Sequence, residues 1–253
     1  MRKVLLLLFL AATLAMADES AEKLVRLAID HAGGWDKWAA TRTVRFRRTT
    51  VRYAPDGAAT ATRVQLHQYV LHPSPRMRIE WEENGSKIVM INDGHQAWKL
   101  VDGKRASSEE DIKTARNTTF GANYVFTMPF KLREPGTQLA DAGTQTLADG
   151  TTVQKLRVTY PAGVGDAGGM HDWYFLLDKN GRLTGTHLLY EPGKWDWTEY
   201  LDEKTVDGFT LPTRRVGYDG DEKGKVGTKH SQATYENIEF NVDLSDDLFA
   251  PPR

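Results

Sequence analysis

Histidines have the widest chemical range of any side chain in this sequence, yet their spacing gives little support for catalysis. His67 and His72 stand five apart in RVQLHQYVLH. On a strand that separation points them to opposite faces, and zinc would need a third ligand that the neighbouring residues do not offer. His171-Asp172 joins a base to an acid that could orient it, but adjacent strand residues also face apart. Asp219, Asp221 and Glu222 beside Lys223 and Lys225 have the composition of a solvated hairpin turn. No HExxH, GxSxG, phosphate-binding loop or GxGxxG occurs. An enzyme would need the fold to bring His95, His171 or His187 together. The expectation is a non-enzymatic protein with no catalytic residue, no metal and no cofactor.

Large apolar groups are plentiful instead, with seven Trp, nine Tyr and nine Phe, and the elements that carry them can be read from periodicity. Alternation starts at Thr43, with Val44 and Phe46 on one face and Arg45 and Arg47 on the other. Val51 and Tyr53 fall out of phase, which predicts a bulge near Arg47 to Thr49. PRMRIEWEENG alternates cleanly, Met77, Ile79 and Trp81 against Arg76, Arg78, Glu80 and Glu82. Asn92-Asp93-Gly94, Asp149-Gly150 and Asn180-Gly181 are hairpin signals. Trp98 and Leu100 share a face after the first, and Trp173, Phe175 and Leu177 share one before the third. Three or four strands follow residue 194. Tight turns between successive strands imply an antiparallel meander.

Helical signals are few. Ser20 can cap a helix through Leu24, Leu27, Ala28 and His31 that stops at Gly33-Gly34. Ser107 to Glu110 reads as a capping box with Ser107 as cap, opening a helix through Ile112, Ala115 and Arg116 that fades near Gly121. Beyond it, ANYVFTMPFKL is apolar and broken by Pro129. That segment is expected to be a movable cover, with Phe126 and Phe130 turned toward the sheet near Trp81, Trp98 and Trp173. The fold class is therefore α+β, mainly β: one large curved antiparallel sheet of about ten or eleven strands covered by short helices. A wide, twisted sheet curls, and two short helical pieces leave a concave space under the cover. The cavity lining expected is Phe46, Ile79, Trp81, Trp98, Tyr124, Phe126, Met128, Phe130, Trp173 and Phe175.

MRKVLLLLFLAATLAMA has a basic start, an apolar middle too short to span a bilayer, and a small-x-small end. Residues 1–17 read as a signal peptide and the mature domain as residues 18–253, beginning at Asp18. With no cysteine anywhere there is no lipid-anchor thiol and no disulfide. The expected location is periplasmic or secreted, in soluble form. A net charge of −1 with no basic block argues against nucleic acid as a partner.

The order of these parts resembles the periplasmic lipoprotein-carrier superfamily of LolA and LolB. KLVRLAIDHAGGWDKWAA leads into the long strand TVRFRRTTVRY, and WYFLLDKNGRLTGTHLLY is similar to the family's aromatic strand ending at an Asp before a Gly turn. VDGFTLPTRRVGY resembles a late strand entry of the family, and FNVDLSDDLFAPP its closing segment. The resemblance runs over nearly the whole mature chain and implies an unclosed, strongly curved barrel whose open side is plugged by helices around an apolar cavity. It implies a distant exported relative that binds, carries or senses a lipid, an acyl chain or a lipoprotein. The implied partners are acyl chains and an envelope donor or acceptor protein, with the chain itself a monomer. An envelope structural or protein-interaction β domain is the alternative, and a hydrolase a less favoured one.

Overall fold

A computed structural model describes residues 19–162, 164 and 171–250. The expected signal peptide and the mature start at Asp18 lie outside the described residues. Helix α1 (19–31) and the short helix α2 (Trp35–Ala40) precede six strands: β1 (Thr43–Tyr53), β2 (Ala59–Val70), β3 (Arg76–Glu83), β4 (Ser86–Asn92), β5 (Ala97–Val101) and β6 (Lys104–Ala106). Helix α3 (Glu109–Thr127) and a 3-10 turn at Phe130–Arg133 follow. Seven strands complete the sheet: β7 (Gln138–Thr146), β8 (Thr152–Thr159), β9 (Asp172–Leu177), β10 (Leu183–Glu191), β11 (Lys194–Val206), β12 (Phe209–Gly220) and β13 (Val226–Phe240).

All thirteen strands form one antiparallel sheet in the order β6-β5-β4-β3-β2-β1-β13-β12-β11-β10-β9-β8-β7. The chain runs outward from β1 to β6, crosses back through α3, and returns from β7 to β13, which pairs with β1. The sheet is unclosed, with β6 and β7 as its two edges. The expected fold class holds, with more strands than the ten or eleven anticipated. The surplus comes from short or polar runs such as Lys104–Ala106, which carry little alternation to read.

The inner face carries the main core. Val44 and Phe46 of β1, Tyr69 of β2, Met77 and Ile79 of β3, Phe175 of β9 and Tyr235 of β13 join one buried cluster. Helix α1 contributes Leu24, Val25, Ala28 and Ile29 to it. Ser20, expected as a cap, lies inside α1, and its hydroxyl donates to the Asp141 carboxylate of β7. At the other end His31 meets Glu203 of β11 at 3.0 Å. Gly181, in the β9–β10 turn with φ 83°, lies under Leu27, and a Cβ there would come within 2.3 Å of the Leu27 carbonyl oxygen. Glycine is required on both counts.

Helix α3 lies over β3, β4 and β5. Its cap is Ser108, one residue later than expected: the Ser108 side chain accepts from the Asp111 amide. Asp111 also pairs with Lys99 of β5 at 2.6 Å, and Asn92 of β4 donates to the Thr119 hydroxyl at 3.2 Å. The helix does not fade at Gly121. It continues to Thr127, so Tyr124 and Phe126 are helical and Pro129 stands beyond the helix end. Packing of those aromatic side chains on the sheet outweighs the roughly 1 kcal/mol cost of an internal glycine.

The bulge predicted in β1 belongs to its neighbour. Arg45 pairs with Glu239 and Arg47 with Glu236, so the extra residue lies on β13, where Asn237 takes φ 51°. Pairing of β1 with β2 is regular from Thr43 to Arg52. Phe46 and Arg48 therefore share the inner face.

Candidate functional site

Of the ten residues expected to line a cavity, nine belong to the inner-face cluster: Phe46, Ile79, Trp81, Tyr124, Phe126, Met128, Phe130, Trp173 and Phe175. Trp98 does not. It packs on the outer face with Val70, Val89, Ile91, Leu100 and Phe249, roofed by Leu244 and Leu248. The β5 register explains the correction. Trp98 sits opposite Ile91, whereas the inner-face Met90 sits opposite Lys99.

Beneath the C-terminal half of α3 the inner face is filled. The rings of Phe126 and Phe46 stack at 4.0 Å, and those of Phe130 and Trp38 at 4.3 Å. Tyr124 lies 5.3 Å from Trp173, and its hydroxyl accepts from Tyr160 at 2.9 Å, so the helix touches both arms of the curved sheet. The segment from Tyr124 to Phe130 is thus packed core rather than a loose cover.

Space remains along one flank of α3, where its residues are small. A cleft of about 340 Å³ runs beside Gly121, Ala122 and Val125, facing Ile79, Trp173 and Leu188. Apart from its chain neighbours and the backbone of its own helix, nothing among the described residues lies within 4 Å of a Cβ built on Gly121. Only Ile79 and Trp173 of the expected lining residues border this cleft.

The polar groups at the cleft were not anticipated. Arg48, Gln65 and His67 border it from β1 and β2, with Asn117 and Thr118 of α3 and His171 at other points. Alternation carried a signal, because Arg48 lies two residues from Phe46, but the supposed bulge at that point obscured it. His67 is completely buried, stacks on Phe46 at 4.7 Å, and meets the Tyr69 hydroxyl through Nδ1 at 2.5 Å. Burial, and then the charge of Arg48, hold its imidazole well below the ordinary range, while burial pushes the Tyr69 phenol well up. Both are neutral near pH 7. Giving Tyr69 the donor role satisfies its only polar hydrogen and places the imidazole hydrogen on Nε2, which meets no hydrogen-bond partner among the described residues.

The histidines that could have betrayed an enzyme are held apart. His95 lies in the β4–β5 turn, and His171 is 6.1 Å from Trp173 at the cleft. His187 is on the outer face, stacked on Trp195 at 4.3 Å, with its Nε2 on the Asp221 carbonyl oxygen. Asp172 is engaged by Arg157, with nitrogen–oxygen distances of 2.8 to 3.1 Å. Among the described residues no three His, Asp or Glu side chains are grouped so as to hold a metal ion. No helix of the described residues is long and apolar enough to cross a membrane.

Known structures share this architecture. A LolA superfamily protein from Nitrosomonas europaea superposes with a TM-score of 0.58 at 14% identity, covering 91% of this chain and 97% of that one. A DUF1329 family protein from Desulfovibrio piger gives 0.60 at 14% identity with the same coverages. A domain from Vibrio parahaemolyticus named for outer-membrane lipoprotein sorting gives 0.55 at 13% identity, covering 90% and 97%. The chain has the LolA-like fold. No protein-family model matches the sequence, and no curated protein is significantly similar to it.

Proposed function

We propose that this chain is an exported, non-enzymatic binding protein that carries or senses a lipid or a lipoprotein acyl chain. On this reading residues 1–17 are removed on export and residues 18–253 act in the periplasm or outside the cell as a soluble monomer. An envelope protein would deliver or receive the cargo. The observation that carries the proposal is the cleft beside α3, open to solvent and walled by Ile79, Ala122, Val125, Trp173 and Leu188. Its fold is that of proteins named for LolA and for lipoprotein sorting, which supports the same class of cargo.

The driving force would be burial. A methylene leaving water contributes about 0.8 kcal/mol, and about 340 Å³ lies at the small end of the roughly 300–1,000 Å³ range of ligand sites. The cleft suits one tail segment, held moderately enough for hand-over. A structural β domain with a filled core is the competing reading, favoured by the packing around Phe126.

Organic extraction of the purified protein, followed by mass spectrometry, should recover lipid. Titration with a fluorescent fatty acid should saturate, and Ala122→Phe, which puts a ring into the cleft, should weaken that binding at least tenfold. Absence of both lipid and probe binding in the unmodified chain would leave the structural reading standing.

A further inference from the structure

Two guanidinium groups stand on the inner face without a counter-charge among the described residues. Arg48 of β1 pairs in register with Tyr235 of β13, and Arg215 of β12 lies opposite Ala233, two residues earlier on the same strand. The guanidinium carbons sit 5.9 Å and 5.0 Å from the centre of the Tyr235 ring, and that of Arg215 lies 4.6 Å from the Tyr200 ring. Neither arginine has an acidic partner within ion-pair distance among the described residues, where thirteen other pairs do form. Arg215 is only 6% exposed, and among the described residues its Nε and Nη1 have no hydrogen-bond partner, nor has Nε of Arg48.

Aromatic faces offset part of this cost, about 0.5–2 kcal/mol for each ring contact. For the buried Arg215 they do not replace a counter-ion, because a buried charge left unpaired is strongly destabilising. Arg48 is half-buried, with its charge reaching the cleft. Tyr235 registers the local field. Burial would push its phenol up, yet the charges of Arg215 and Arg48 prevail and bring it down. The polar edge of the cleft is equally one-sided: beside Arg48 are the Gln65 amide and the His67 Nε2–H, with no carboxylate among the described residues that border it. Hydrogen-bond donors around a guanidinium, opening onto an apolar groove, are complementary to an oxyanion attached to a hydrocarbon tail.

We propose that this cluster is an anion subsite at the floor of the cleft. Arg48, flanked by Gln65 and His67, takes the carboxylate or phosphate group of an amphiphile whose tail lies along Ala122, Val125 and Trp173. Arg215 does not border the cleft and acts from the next strand but one, through the shared Tyr235 ring, as a positioning residue. The proposal rests on the amphiphile-binding reading above and adds the charge of the head group.

The test is calorimetric titration of the mature chain with dodecanoate, dodecyl phosphate, dodecanol and inorganic phosphate. At least one of the two anionic amphiphiles should bind tenfold or more tightly than dodecanol, and the tighter of them identifies the head group. Arg48→Gln should weaken binding of that anionic amphiphile far more than binding of dodecanol and so abolish the preference, and Arg48→Lys should restore part of it. Thermal melts of both variants confirm that they are folded. Equal affinity for dodecanol and both anions, or an equal loss for all three in Arg48→Gln, would overturn the subsite and leave the apolar cleft intact. Binding of inorganic phosphate lost in Arg48→Gln, with no tail compound bound, would keep the anion site and remove the amphiphile. No binding of any probe would overturn both proposals.

Discussion

The rings of Phe46 and Phe126 lie 4.0 Å apart and within 10° of parallel, joining the sheet floor to the C-terminal half of α3. Phe126 also meets Tyr69 and Tyr235 at 6.3 and 5.9 Å and is only 4% exposed. A ring held from three strands cannot be removed without leaving a void. Phe126→Ala should therefore cost about 3–5 kcal/mol, not the modest loss expected of a movable cover. Urea unfolding of the two proteins measures it, and a loss below about 1 kcal/mol would show that this end of α3 is loosely seated.

Gly121 gives the opposite case. It occupies the interior of α3, and among the described residues a Cβ built there meets nothing within 4 Å beyond its own helix. Gly121→Ala should raise stability by about 0.5–1 kcal/mol through reduced backbone entropy in the unfolded chain. A differential melt that moves downward would mean that the cleft flank is closer-packed than it stands in this structure.

Much of this architecture was legible because turn chemistry is local. Asp149-Gly150 and Asn180-Gly181 fall in connections between successive strands, and Asp93-Gly94 does so directly after Asn92 ends β4. Face parity was legible too: Trp173 and Phe175 sit together on the inner face, and Trp98 and Leu100 do share a side. Which side was not, because both faces of β5 are covered, one by α3 and the other by the C-terminal segment. Alternation separates two faces without naming the one that looks inward. The length of α3 was hidden for a related reason, since Gly121 reads as a stop until its neighbours are known to pack. The cleft depends on Gly121 and Ala122 meeting Trp173 and Leu188 from the far arm of the sheet. No local pattern encodes that meeting.

The outer-face patch around Trp98 yields a separate prediction. Phe249 is 2% exposed, Arg76 stacks over its ring at 5.0 Å, and Arg76 pairs with Asp246 at 2.7 Å. Phe249→Ala should unseat residues 244–250, expose Trp98, Val89 and Ile91, and cost about 3–5 kcal/mol. Near-ultraviolet circular dichroism should lose a tryptophan contribution, and the variant should associate at high concentration. An unchanged spectrum with unchanged stability would mean that this closing segment is not fixed to the sheet in solution.

His67 makes stability depend on pH in a stated direction. Burial first, and then the charge of Arg48, hold its folded pKa well below the ordinary value of 6.5. Below pH 6.5 the unfolded chain therefore binds a proton that the folded chain refuses. The contribution of His67 is full above that pH and declines as pH falls toward the folded pKa, with a limiting slope of about 1.4 kcal/mol per pH unit. His187 and His72 are lowered as well, by burial foremost, whereas His230 is raised by its hydrogen bond to Asp196 and opposes them. Comparison with His67→Gln isolates the one residue, since the other groups are common to both proteins. The stability difference between the two, measured by urea unfolding from pH 7.5 to 5.0, should be flat above pH 7 and shrink steadily below 6.5. A difference that stays constant to pH 5 would mean that His67 takes a proton as readily folded as unfolded, and would remove the buried, neutral donor from the floor of the cleft.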